Sequence, residues 1–168
     1  LVRRDIEREI LPACEDRGLG MLCWSPLAGG FLSGKYLRDQ EIPDGSRISF
    51  RKNIDIPRYF NAKAFDVIDE LKSVSEEIGK TLSQIALSWP LYDHRVTSVI
   101  IGPKNVAQLN DTLEVAEWNL PEEYHQRLEH KLEFSAGYPM EWVEQGLGNI
   151  SGKEEFKPNH YRFPDQRK

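Results

Sequence analysis

Residues 24–36, which read WSPLAGGFLSGKY, combine an aromatic ring, hydroxyl groups, three glycines and a lysine. They follow the apolar run 21–23, which is typical of a short buried strand, so the glycines fall at that strand's carboxyl end. Phosphate-bearing ligands bind at this end of the strands in parallel α/β proteins. Glycine lets the backbone approach a ligand closely, and lysine offers a positive charge to phosphate. The segment therefore indicates a phosphate-binding turn, with a purely structural strand-to-loop turn as the alternative.

The same segment contains the pattern G-x-x-x-x-G-K from Gly29 to Lys35, as in the P-loop of nucleoside triphosphatases. That motif requires serine or threonine at the next position, because the hydroxyl holds Mg²⁺, and Tyr36 stands there instead. Such enzymes also need an apolar strand that ends in aspartate, whereas the apolar run 96–101 is followed by Gly102. Both departures argue against a nucleoside triphosphatase.

Composition narrows the class of protein. The 168 residues suffice for one domain with a sizeable core, and 39% hydrophobic with 29% charged residues is ordinary for a globular protein. A net charge of −5 gives no general attraction to nucleic acid or to an anionic membrane, and no apolar run is long enough to span a bilayer. Two cysteines, Cys14 and Cys23, favour a reduced, cytoplasmic compartment over a disulfide framework. Because the chain begins at Leu1, we expect a fragment, a processed product or a trimmed chain.

Hydrophobic periodicity and capping signals predict alternating elements. The first is an amphipathic helix with apolar residues at 2, 6, 10 and 13 or 14, which Gly18 and Gly20 close, and a strand over 20–24 follows it. A long loop over 29–58 comes next, then a helix over 61–78 that ends at Gly79 and a helix from Thr81 that Pro90 ends or kinks. The last elements are a continuously buried strand over 96–101, a helix opened by Asn105 and a helix opened by Pro121. Such alternation is typical of β/α units on a parallel sheet. Two parallel strands cannot bury both their faces and their edges, so the α/β unit is expected to be part of a larger sheet.

Several stretches, taken in order, resemble the aldo-keto reductase family over roughly residues 1–145. They are RRDIERE over 3–9, WSPLAGG and GKY within 24–36, SVIIG through QL over 98–109, and Tyr138-Pro139 with Trp142. The family fold is a (β/α)8 TIM barrel that binds NADPH at the carboxyl ends of its strands. The resemblance implies that this chain is the C-terminal portion of such a barrel, with two parallel strands and surrounding helices over 1–132. An irregular tail over 133–168 is expected to follow.

The resemblance also implies a set of eleven cofactor-binding residues. They are Trp24, Ser25, Pro26, Leu27, Gly29, Lys35, Arg47, Gly102, Lys104, Gln108 and Asp111. Trp24 would lie against the nicotinamide ring, with core packing as the alternative for Trp24 and Leu27. Ser25, Leu27 and Gly29 would meet the pyrophosphate and ribose.

The remaining roles concern phosphate charge and adenosine. Lys35 and Arg47 would neutralise phosphate charge, and Lys104 would meet the 2′-phosphate; each is otherwise a solvated surface charge. Gly102 and the helix start near Asn105 would face the adenosine phosphate, and Gln108 and Asp111 would hydrogen-bond the adenosine. The chain departs from many relatives at Lys104, Thr112 and Pro90, where arginine, asparagine and a continuing helix are usual.

Function follows from the same resemblance. The chain is expected to come from an NADPH-dependent oxidoreductase that reduces small aldehydes or ketones to alcohols. The catalytic tyrosine, lysine, aspartate and histidine would belong to the missing N-terminal barrel half, so this chain carries no catalytic and no metal-binding residue. Its histidines are interpreted as surface residues, at positions His94, His125, His130 and His160. The alternative is a non-catalytic nicotinamide-binding or interaction module of the same fold.

Overall fold

Two short parallel strands lie side by side, and helices pack around them. The computed structural model describes residues 1–132, 134, 137–139 and 141–143. The helices and strands are α1 (Ile10–Arg17), β1 (Met21–Cys23), α2 (Lys52–Tyr59), α3 (Ala62–Ile78), α4 (Leu82–Leu91), β2 (Val96–Val99), α5 (Val106–Leu113) and α6 (Glu122–Lys131). Within that part of the chain, 3-10 turns cover Asp5–Glu7, Ala28–Ser33, Ile48–Phe50 and Glu114–Glu117. Most of the predicted tail, including His160, lies outside the described residues.

Strands β1 and β2 pair in parallel, as predicted. Met21 lies opposite Val96, and the register is irregular immediately after that pair. At the other end of the pair, the Ile100 N–H donates to the Cys23 carbonyl oxygen at 2.9 Å. The carboxyl ends of both strands therefore lie together, and the segments that follow them are brought to one edge of the sheet.

The prediction of a continuously buried strand over 96–101 is wrong. Val96 is buried, but Thr97 and Ser98 are exposed, and Leu22 on β1 and Ile100 are 58% and 50% exposed. The apolar sequence is that of a strand with neighbours on every side. In the part of the chain that the structure describes, β1 and β2 are the only pair, and α4 packs against β2.

The long loop predicted over 29–58 is also wrong, because this stretch contains a helix. Helix α2 includes Pro57 and has charged or amide residues at half of its positions, which gives little local helix signal. Its formation depends on tertiary burial. Tyr59 is 7% exposed and Asp55 is 3% exposed, and Asp55 lies 3.4 Å from the Arg51 guanidinium.

The first predicted helix is shorter than expected and buries a different residue. A 3-10 turn at Asp5–Glu7 precedes α1, and Leu11 is the buried residue of α1, whereas Ile10 is half exposed. Gly18 adopts a left-handed φ of 65° and ends α1, as predicted. The predicted stripe fails because Val2 and Ile6 precede the helix, which begins only at Ile10.

Capping predictions are confirmed at three helix starts. Thr81 and Gln84 form a capping box, with the Gln84 N–H donating to the Thr81 hydroxyl at 3.2 Å and the Thr81 N–H donating back to Gln84 at 3.1 Å. Asn105 accepts from the Gln108 N–H at 2.9 Å, and Pro121 precedes the first turn of α6. Helix α4 ends at Leu91, one residue beyond Pro90.

The core lies between α3, α4 and the Ala28–Ser33 turn. Phe31 is fully buried at its centre, with its ring centroid 5.1 Å from that of Phe65 and 5.2 Å from that of Phe60. The Tyr36 and Tyr59 rings stack near Phe31 at 6.5 and 6.3 Å. This aromatic cluster lies directly beneath the glycine-rich turn, so packing in the core fixes the turn's position. None of the helices in the described ranges is both long and apolar enough to cross a membrane.

His125 corrects the interpretation of the histidines as surface residues. Its side chain is 13% exposed and stacks on the Tyr92 ring at 4.0 Å and the Trp89 ring at 5.3 Å. Burial lowers the pKa of His125, which favours the neutral imidazole. The side chain packs against the end of α4, at Trp89 and Tyr92.

Candidate cofactor site

A cavity of about 310 Å³ opens at the carboxyl ends of β1 and β2. All eleven residues predicted to bind the cofactor line it. The structure adds residues outside that prediction, namely Gly30, Ser33, Ser83, Ile100, Ile101 and Pro103, and Thr112, where many relatives have asparagine, belongs to the same lining. Ser83 lies at the start of α4 and reaches the cavity through the fold alone, so no sequence signal could have found it.

The wall formed by the glycine-rich turn has an unusual backbone. Gly29 and Gly30 have φ values of 70° and 91°, and the non-glycine residues Ser25 and Ala28 have φ values of 55° and 50°. The turn is closed by a hydrogen bond from the Gly30 N–H to the Leu27 carbonyl oxygen at 2.9 Å. Left-handed conformations at non-glycine residues cost about 1–3 kcal/mol each and concentrate at ligand sites. Ser25, Gly29 and Gly30 line the cavity, whereas Ala28 is buried.

Lys35 reaches back over this turn because Gly30 has no side chain. A Cβ atom at Gly30 would lie 2.8 Å from the Lys35 Nζ and 3.0 Å from its Cε, closer than real Cβ contacts allow. The ammonium group also lies 5.2 Å from the centroid of the Tyr36 ring. Gly30 thus provides the space in which the Lys35 ammonium faces the cavity.

The opposite wall is the start of α5. The Lys104 N–H donates to the Gln108 side-chain oxygen at 2.9 Å, which joins the Asn105 cap in fixing this helix start. The Lys104 Nζ donates to the Gly45 carbonyl oxygen at 3.4 Å and so bridges to the segment that carries Arg47. Lys104 therefore links the two walls at the mouth of the cavity.

Asp111 ties this wall to the neighbouring helix. Its carboxylate accepts from the Thr81 hydroxyl at 3.0 Å, and its backbone carbonyl oxygen accepts from the Gln84 side chain at 3.0 Å. Thr81 and Gln84 form the capping box of α4, so the start of α4 is hydrogen-bonded to the C-terminal half of α5, which carries Asp111.

Charge around the cavity is strongly positive, in contrast to the whole chain. Lys35, Arg47 and Lys104 are all exposed, and none has a carboxylate within ion-pair distance among the residues described. Asp111 is the one carboxylate in the described lining, and it is already bonded to Thr81. Three cations without acidic partners at one cavity form an environment suited to an anion with several charges.

Trp24 lines the cavity and is 61% exposed. This exposure among the described residues argues against core packing, the alternative interpretation of Trp24. A large aromatic ring beside a positively charged cavity can stack on a flat ring of a ligand.

The structure also argues against a P-loop at this turn. In a P-loop a helix begins at the lysine, whereas no helix begins directly after Lys35, and the Tyr36 hydroxyl accepts a hydrogen bond from the Ile48 N–H.

Comparison with known proteins assigns the chain to a family. The family model described as Aldo/keto reductase family matches residues 1–133. The chain belongs to the aldo/keto reductase family. This confirms the resemblance inferred from the sequence motifs.

Members with individual names are similar over most of the described chain. An uncharacterized oxidoreductase, YrpG, from Bacillus subtilis is 37% identical over 73% of this chain and 35% of its own length. A probable voltage-gated potassium channel subunit beta from Arabidopsis thaliana is 32% identical over 68% of this chain and 35% of its own length. The L-glyceraldehyde 3-phosphate reductase of Escherichia coli K12 is 32% identical over 68% of this chain and 34% of its own length.

A solved structure shows the same fold. The glycerol dehydrogenase from Gluconobacter oxydans superposes with a TM-score of 0.62 at 27% identity, over 77% of this chain and 39% of that one. This aldo-keto reductase chain thus spans about a third of the length of the curated relatives it matches, with 34% of the reductase covered.

Proposed function

We propose that this chain is the C-terminal part of an NADPH-dependent aldo-keto reductase that converts small aldehydes or ketones to alcohols. The observation that carries the proposal is the set of three cations, Lys35, Arg47 and Lys104, which have no acidic partner among the described residues and line one cavity together with the exposed Trp24. A nicotinamide dinucleotide has phosphate charge along its length and a flat aromatic ring at one end. The cavity is therefore complementary to this ligand in charge, and Trp24 offers an aromatic surface to its flat ring.

Each wall has a distinct part in this proposal. Trp24 would hold the nicotinamide ring so that one face is open to substrate. Ser25, Pro26, Leu27 and Gly29 would follow the ribose and pyrophosphate, and Lys35 with Arg47 would neutralise the pyrophosphate. When bound here, the cofactor would supply the hydride that the carbonyl carbon of the substrate accepts.

The second wall would bind the adenosine end. Lys104 and the start of α5 beside Gly102 would meet the 2′-phosphate, since helix N-termini favour anions. Gln108 and Asp111 would contact the adenosine in addition to the protein hydrogen bonds they make. The proton donor would be a tyrosine outside this chain, so these residues bind and orient the cofactor and have no catalytic role.

An exposed face of the sheet supports the proposal that further β/α units complete the barrel. Leu22 is 58% exposed and lines a second cavity of about 870 Å³, which lies against β1, α4 and the first residues of the chain. The remaining part of a barrel would cover this face. We also expect a cytoplasmic protein with no nucleic-acid or membrane partner.

A second candidate is a non-catalytic nicotinamide-binding or interaction module of the same fold. It is favoured by the relatives named as potassium channel subunits, because those names refer to a subunit role. Both candidates predict that the complete protein binds NADPH. The enzyme should also oxidise NADPH when 4-nitrobenzaldehyde is added, whereas the module should not. Absorbance at 340 nm distinguishes them, and the 168-residue chain alone should show no turnover in either case.

Replacing Gly30 with alanine tests the turn. The new methyl group would displace the Lys35 ammonium, so NADPH binding should weaken by roughly tenfold, the value of one charge-assisted contact. The left-handed φ of 91° should in addition cost about 1–2 kcal/mol of stability. Titration calorimetry and urea unfolding measure the two effects separately.

Gly79 offers a matched control. It has a φ of 66° at the end of α3, and a Cβ there would meet nothing within 4 Å. Gly79→Ala should lose similar stability and retain its cofactor affinity. If both variants bind NADPH equally well, the space that Gly30 leaves for the Lys35 ammonium does not contribute to cofactor binding.

A further inference from the structure

Tyr36 is a buried residue between the two cationic segments of the cavity. It is 1% exposed, and its ring lies 6.5 Å from Phe31 and 5.9 Å from Phe60, centroid to centroid. The preceding residue, Lys35, is exposed on the cavity. The ring therefore anchors the end of the glycine-rich turn in the aromatic core.

The Tyr36 hydroxyl also contacts the second segment. It accepts from the Ile48 N–H at 3.4 Å, a long hydrogen bond made in a buried setting across twelve positions of the chain. Ile48 is fully buried, and Arg47, directly before it, is exposed on the cavity. One phenol group thus connects the backbone beside Lys35 with the backbone beside Arg47.

The segment around Arg47 is also bound by the Lys104 ammonium, which donates to the Gly45 carbonyl oxygen at 3.4 Å and ties the segment to the start of α5 rather than to Lys35. A local turn is closed by the Ser49 hydroxyl, which donates to the Ser46 carbonyl oxygen at 2.7 Å. That bond shapes the turn but does not fix its position relative to Lys35. Two contacts fix the position of this turn relative to Lys35. One is the hydrogen bond to the Tyr36 hydroxyl, and the other is the packing of the Ile48 side chain close to Gly29, where an added Cβ would lie 3.7 Å from it.

We propose that Tyr36 is a positioning residue that holds Arg47 at the distance from Lys35 at which both cations address one pyrophosphate. It touches no ligand and acts through the Ile48 backbone. This inference rests on the proposed cofactor function. The competing explanation is that the hydroxyl only satisfies a buried polar group and contributes to stability alone.

Tyr36→Phe isolates the hydroxyl, because the ring and its packing remain. In the complete protein, both NADPH and NADH should bind roughly 2- to 10-fold more weakly, the range expected for one neutral hydrogen bond. The ratio of the two affinities should not change, since the pyrophosphate is common to both cofactors. Tyr59→Phe, which removes a hydroxyl from the same aromatic cluster but does not line this cavity, should bind both as the wild type does.

A double-mutant cycle with Arg47→Ala distinguishes positioning from stability. Once Arg47 is absent, Tyr36→Phe should cause no further loss of affinity. Amide hydrogen exchange at Ile48, measured without cofactor, should be faster in Tyr36→Phe than in the wild type.

The outcomes separate the two hypotheses. An unchanged affinity in Tyr36→Phe, or a loss of the same size with and without Arg47, would overturn the positioning role while the cofactor function stands. Failure of the wild-type complete protein to bind either cofactor would overturn the proposed function, and this role with it. Exchange at Ile48 that is no faster in the variant would show that the hydroxyl does not anchor this segment.

Discussion

Replacing Lys104 with alanine is expected to weaken NADPH binding roughly 10- to 100-fold and to leave NADH binding nearly unchanged. The Lys104 ammonium is exposed at the cavity mouth beside the Asn105-capped start of α5, where backbone N–H groups already favour an anion. The 2′-phosphate distinguishes NADPH from NADH, and a charge-assisted contact to it is worth about 1.5–3 kcal/mol. Calorimetric titration of both cofactors into the complete protein measures the difference directly.

Arg47→Ala is the informative comparison, because it should weaken both cofactors if Arg47 meets the pyrophosphate. Lys63→Ala removes an exposed lysine from α3, away from the cavity, and should bind both cofactors as the wild type does. Equal losses of NADPH and NADH affinity in Lys104→Ala would identify this lysine as a solvated surface charge. In that case the preference for NADPH has another origin.

Phe31→Ala should produce the largest loss of stability among substitutions near the site, about 3–5 kcal/mol. Phe31 is fully buried, and its ring touches the aromatic rings of the core beneath the glycine-rich turn. Removing it leaves a cavity that the neighbouring rings cannot fill without moving. Urea unfolding followed by near-ultraviolet circular dichroism measures the change in the free energy of unfolding.

The matched control replaces Phe50 with alanine, because the Phe50 side chain is 79% exposed. Phe50→Ala should alter the free energy of unfolding by no more than about 0.5 kcal/mol. Similar urea midpoints for the two variants would mean that the aromatic cluster does not hold the core together. Since Phe31 belongs to the Ala28–Ser33 turn, its loss should also lower the affinity for NADPH.

Local signals in the sequence predicted the local parts of the fold. The capping box of Thr81 and Gln84, the Asn105 cap and the left-handed Gly79 each depend on residues within a few positions, so their patterns are legible in one sequence. The parallel strands were also predicted, because alternation of apolar runs with helical patterns favours this arrangement.

Other features were not predicted, because they depend on contacts with distant parts of the chain. Helix α2 is stabilised by burial of Asp55 and Tyr59 against the rest of the molecule, and its own sequence contains a proline. The burial expected for 96–101 needs more neighbouring strands than β1. The candidate site was predicted residue by residue from the family resemblance, but the contacts that assemble it were not. Lys104 meets Gly45 across 59 positions, and no short pattern encodes such a bond.

The pairing of β1 with β2 has a consequence for how the cavity comes into being. The Met21 N–H bonds to Thr97 across 76 positions, whereas the main core cluster of described residues includes no member of either strand. Contacts that close so long a segment form late, because chain entropy must be lost before they contribute. The helical core can therefore assemble first, and the two walls of the cavity meet only when the strands pair. A dinucleotide that bridges both walls would accordingly slow unfolding and leave the folding rate almost unchanged.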